Sequence, residues 1–85
     1  MNNPMIFSDE SAKSLISQYI NEAHAYFRDD VYGVAIEIVR LAMVEHGWPI
    51  IPVNVSTIYD IIESAGGVRE YMSKYQFTMK NSGEK

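Results

Sequence analysis

The sequence predicts an all-α fold: a small bundle of three to four short helices with a central hydrophobic helix and an extended, Pro-containing strap. Two observations carry this prediction. Apolar residues recur at steps of three and four along most of the chain, and these patterns are separated by Arg28-Asp29-Asp30, by Gly47 and by Gly66-Gly67. With 85 residues, we expect one helical domain over 1–85, with 1–6 and 80–85 frayed at its ends.

The first helix is predicted over about 9–27. Ser8 can cap the free N–H groups at its start, and Asp9 and Glu10 suit the positive end of the helix dipole. Its apolar residues fall on one face, which we expect to be buried: Ala12, Leu15, Ile16, Tyr19, Ile20, Ala23 and Phe27.

The second helix is predicted over about 30–46, capped by Asp29 or Asp30 and stopped at Gly47. Its segment 31–44 is apolar almost all the way round. The charged exceptions, Glu37 and Arg40, form with Gly33 one narrow strip that we expect to face water. Every other side of this helix must be covered, either by the rest of the chain or by another molecule.

After the second helix, two prolines favour an extended strap over 48–53, with a short edge strand as the alternative. Asn54 or Ser56 can cap a third helix over about 56–65. A Gly-Gly pair then separates it from a fourth helix over about 68–77, and we expect the tyrosines of this last helix to point inward.

Composition excludes several classes of protein. Apolar residues make up 47% of the chain, which is enough for a core, and the absence of Cys removes disulfides and thiolate metal sites. The net charge of −4 sits entirely in residues 1–47, and there is no basic cluster of the kind that nucleic-acid binders carry. No apolar run is long enough for a membrane span, and the first residues do not resemble a secretory signal, so we expect a cytoplasmic protein.

No residue pattern points to catalysis. The two histidines, His24 and His46, lack metal-ligand spacing, and neither a G-x-S-x-G nucleophile elbow nor a Gly-rich phosphate loop occurs. We therefore expect no enzyme activity, no cofactor and no metal.

Tyrosines lie off the buried stripes near the first helix junction, where acidic residues are also concentrated. Tyrosine is enriched at protein interfaces, although single exposed aromatics are also common. We predict a partner-binding surface there, formed by Tyr26, Asp29, Asp30, Tyr32 and Glu37.

The apolar excess on the second helix also predicts a homodimer with a two-fold seam at Ile36, Val39 and Met43. The leading hypothesis is thus a small acidic protein–protein interaction module that regulates, links or inhibits a larger macromolecule, of a kind common in bacteria and bacteriophages. The alternative is a helix-turn-helix-like DNA-binding regulator over 56–77, with Arg69 and Lys74 as DNA contacts.

Overall fold

A computed structural model of the chain describes residues 6–76. Its elements are α1 (Asp9–Phe27), α2 (Val31–His46), α3 (Pro52–Ser64) and α4 (Val68–Tyr71), which continues into a π-helical turn over Met72–Gln76. Over these residues every regular element is helical, so the all-α prediction is confirmed and the edge-strand alternative is wrong. The expected fraying at 1–5 and 80–85 lies outside the described residues, as does the predicted end of the fourth helix at 77.

Helix α1 begins and packs as predicted. The Ser8 hydroxyl accepts a hydrogen bond from the Ser11 N–H at 3.1 Å. The predicted inward stripe is buried from Ala12 to Ala23. Phe27, the last residue of α1, is the exception. Its ring packs over Gly33 near the start of α2 but remains partly exposed.

The turn between α1 and α2 contains a strained residue. Arg28, which has a side chain at Cβ, adopts φ +57° and ψ −119°, a region that favours glycine. Two residues later the Asp30 carboxylate accepts a hydrogen bond from the Gly33 N–H at 3.2 Å, which confirms the predicted cap of α2.

Because of this strain, we expect Arg28→Gly to raise the free energy of unfolding by about 1 kcal/mol. Gly47 offers the opposite case, since it ends α2 at φ +80° and a Cβ added there would meet no atom within 4 Å. Gly47→Ala is therefore expected to lower stability by about 1 kcal/mol through backbone strain alone. Urea unfolding of both variants checks the pair, and a loss of stability in Arg28→Gly contradicts this account.

Helix α2 is the central helix, packed between α1 and α3. The residues that form its buried side are Val34, Ala35, Ile38, Val39, Leu41 and Ala42. Because Val39 is fully buried within the protomer, its prediction as part of a two-fold seam is wrong. The other two seam residues, Ile36 and Met43, do reach the surface.

The predicted water-facing strip on α2 is also wrong for two of its three members. Gly33 is buried because the Phe27 ring lies over it: a Cβ at Gly33 would stand 2.6 Å from Phe27 Cδ1. Glu37 is buried beside the same end of α1. Only Arg40 is exposed, so α2 is rotated relative to the predicted orientation.

The strap is shorter than predicted, covering 47–51, because α3 already begins at Pro52. Proline suits the first helical position, where its missing N–H leaves no helical bond unmade. Asn54 does not cap the helix and is instead fully buried. Its amide Oδ1 accepts from the Phe7 N–H at 2.9 Å and its Nδ2 donates to the Pro49 carbonyl at 3.2 Å. This side chain thereby ties the N-terminal segment and the strap to α3.

Aromatic rings close both ends of the core. Phe7 packs edge-on against Trp48 with ring centroids 4.8 Å apart, which covers the side of the bundle under the strap. In α4, Val68 and Tyr71 are buried. The prediction that Tyr75 also points inward is wrong: its ring stacks on Tyr71 at 4.6 Å but stays half exposed.

Candidate functional site

The water-exposed side of α2 is unusually apolar. Tyr32, Ile36, Arg40, Met43 and Val44 follow one another at steps of four, four, three and one, so they lie on one side of the helix. Tyr32 is 59% exposed and Val44 62% exposed. We call these five residues the α2 face.

Two aromatic residues of α1 extend the α2 face on one flank. Tyr26 and Phe27 line a shallow cleft of about 250 Å³ together with Arg40 and the carboxylates of Glu22 and Glu37. Tyr26 is the most exposed large hydrophobic side chain in the described part of the chain, at 72%. A partner lying on α2 would therefore also meet these rings.

On the other flank the α2 face continues onto α3 through Tyr59. The rings of Tyr32 and Tyr59 meet edge-on with centroids 6.4 Å apart. A hydrogen bond from the Tyr59 hydroxyl to the nearby Glu63 carboxylate, reinforced by the charge of that carboxylate, raises the pKa of Tyr59. The Tyr59 ring thus lies against Tyr32 at the edge of the α2 face.

The one charged residue of the α2 face is neutralised from within the protomer. Arg40 donates two hydrogen bonds to the Glu37 carboxylate, at 2.7 Å from Nη2 and 3.0 Å from Nε. These bonds lower the pKa of Glu37, although burial acts in the opposite direction, and they raise the pKa of Arg40. The α2 face consequently presents no net charge.

The structure separates the five predicted partner-binding residues into two groups. Tyr26 and Tyr32 are exposed on or beside the α2 face. Asp30 caps α2, and Glu37 is buried and bound by Arg40, so both carboxylates have structural contacts. Asp29 lies at the helix junction, 3.4 Å from an Arg69 Nη2 and 4.0 Å from His24 Nε2. The two tyrosines thus lie on or beside the α2 face, whereas the three carboxylates make contacts within the chain.

The residues of the DNA-binding alternative make contacts within the chain. Arg69 pairs with Asp29, and the Lys74 ammonium donates to the Ala65 carbonyl at 3.1 Å. The segment offered as a reading helix is α-helical over only four residues, Val68–Tyr71, before it continues as a π-helical turn. Nothing in this geometry favours insertion into a groove.

Sequence reasoning missed Phe27 and Val44 as exposed residues of the site. Both are apolar and sit at the ends of their helices, where a helical pattern no longer guarantees burial. Gly33 was the available signal, since a glycine inside a helix often marks close approach of another group. Had Phe27 been placed over Gly33, a rotated α2 with Gly33 buried would have followed.

Comparison with protein-family models, with curated proteins and with solved structures finds no significant match to this chain. None of the helices within residues 6–76 combines the length and apolar character needed to cross a membrane. In the same residues, no three His, Asp or Glu side chains are grouped so as to hold a metal ion.

Proposed function

We propose that this chain is a non-enzymatic, acidic protein–protein interaction module of the cytoplasm that acts by docking another protein against the α2 face. The module so assembled regulates, links or inhibits a larger macromolecule. The observation that carries the proposal is the exposed apolar and aromatic side of α2, extended by Tyr26 and Phe27 on α1 and by Tyr59 on α3.

The size of this surface supports the proposal. From the exposed fractions, and taking about 150–250 Å² for an aromatic side chain, the α2 face and its flanks offer roughly 600 Å² of apolar surface. The largest apolar patch on a typical monomer is about 300–600 Å² and is often functional. Its composition also fits, because tyrosine and methionine are enriched at interfaces and unpaired charge is depleted at their centres.

Photo-crosslinking tests the proposal. We expect benzoylphenylalanine at position 32 to give a discrete crosslinked protein in a lysate of the source cells, because Tyr32 lies on the α2 face. The matched control is position 75, where Tyr75 is also a half-exposed tyrosine but lies on the π-helical turn. Mass spectrometry of the product identifies the docked protein.

A second variant makes the result specific. Val44→Lys, placed in the chain that carries the crosslinker at position 32, is expected to reduce the product at least fivefold because it introduces a charge into the apolar contact. Equal products from positions 32 and 75, or a product insensitive to Val44→Lys, would show that the α2 face is not the docking surface.

A further inference from the structure

The proposed function leaves open which protein covers the α2 face, and the inference made here rests on that function. We infer that the occupant is a second copy of this chain. The two α2 helices run antiparallel in this arrangement, and a two-fold axis passes close to Arg40 of each copy.

The order of side chains along α2 is self-complementary about Arg40. Ile36 precedes it by four residues and Val44 follows it by four, so both lie one turn away on the same side of the helix. In a two-fold contact residue i meets residue j and residue j meets residue i. An axis at Arg40 therefore places Ile36 of one copy against Val44 of the other, twice, with Met43 beside each pair.

Electrostatics favour the antiparallel direction of this contact. The whole chain carries −4, so two copies repel each other, but the α2 face has no net charge because Glu37 neutralises Arg40. The exposed Asp29 and the capping Asp30 lie at the start of α2. Antiparallel helices put these acidic starts at opposite ends of the dimer, which keeps the like charges of the two copies apart.

The available area sets the strength of the contact. Two copies that each bury the α2 face and both of its flanks, roughly 600 Å² a copy, reach about 1,200 Å², the lower limit of specific, stable interfaces. We therefore expect a reversible dimer with a dissociation constant on the order of tens of micromolar rather than an obligate one.

Light scattering over a concentration series tests the inference. The mass is expected to rise from 9.7 kDa at low micromolar concentration toward twice that value at several hundred micromolar. Val44→Lys is expected to weaken dimerisation at least tenfold. Val53→Lys is the matched control. Val53 is 43% exposed, but it lies six residues from Tyr59 and therefore on another side of α3, away from the α2 face. This control is expected to dimerise like the unmodified chain, and circular dichroism checks that both variants fold.

Cysteine pairs test the two-fold geometry. Since the chain has no Cys, single cysteines are the only thiols present. An equimolar mixture of Ile36→Cys and Val44→Cys proteins is expected to react with a short bis-maleimide to give mainly the mixed dimer. Crosslinking of Ile36→Cys to itself in preference would indicate parallel helices and overturn the arrangement.

A chain that stays at 9.7 kDa throughout, or a dimer equally sensitive to Val44→Lys and Val53→Lys, overturns the second copy as occupant. The crosslinker at position 32 then still reports whether a different protein docks on the α2 face. A product containing two copies of the chain, lost with Val44→Lys, supports the inference directly.

Discussion

Asn54→Ala is expected to lower the free energy of unfolding by about 3 kcal/mol. Asn54 is fully buried, and its amide satisfies the Phe7 N–H and the Pro49 carbonyl at the same time. Alanine leaves both backbone groups without this partner and adds a small cavity, and buried unsatisfied groups cost about 1–3 kcal/mol each. Urea unfolding monitored by circular dichroism measures the loss.

Asn21→Ala is the matched control, because Asn21 is exposed in the middle of α1. Alanine has the higher helix propensity there, so stability is expected to stay the same or to rise by about 0.5 kcal/mol. Trp48 supplies a local probe of the Asn54 variant, since its ring packs on Phe7 and its fluorescence reports that contact. Equal stability of the two variants would mean that the Asn54 hydrogen bonds do not hold the N-terminal segment and the strap to α3.

The elements that could be predicted from the sequence are those set by local signals. The start of α1 at Ser8, the cap of α2 at Asp30 and the stop at Gly47 each depend on one side chain or one glycine close to the helix end. The start of α3 was misplaced because Asn54 is a frequent capping residue. Its actual role depends on Phe7, 47 residues away, which no local pattern reveals.

The orientation of α2 could not be predicted for a related reason. On an almost wholly apolar helix, two charged residues are the natural guide to the exposed side. Here Glu37 is buried because Arg40 reaches it, and Gly33 is buried because Phe27 packs over it. The exposure of Tyr26 and Tyr32 near the first helix junction could therefore be predicted, but the exposed apolar side chains of the α2 face depend on tertiary packing.

The Glu37–Arg40 pair should make stability depend on pH. Arg40 holds the pKa of Glu37 below its ordinary value of 4.5, so the folded state keeps this carboxylate ionised to lower pH than the unfolded chain does. The contribution is fully present above the unfolded pKa, about 4.5, and is lost as the pH falls through the lower folded value. We expect Glu37→Gln to cost about 1–2 kcal/mol at pH 7 and progressively less below pH 4.5.

Arg40→Ala distinguishes loss of the ion pair from loss of a hydrogen bond. At pH 7 it is expected to destabilise the fold more than Glu37→Gln, because it leaves a buried carboxylate without a counter-charge, whereas glutamine can still accept from Arg40. Toward pH 3 the two variants should converge, since protonated Glu37 is neutral like glutamine. Urea unfolding of both at pH 7, 5 and 3 measures this. If Arg40→Ala instead costs the same at every pH, the guanidinium stabilises the fold by packing, and Glu37 is not held ionised by it.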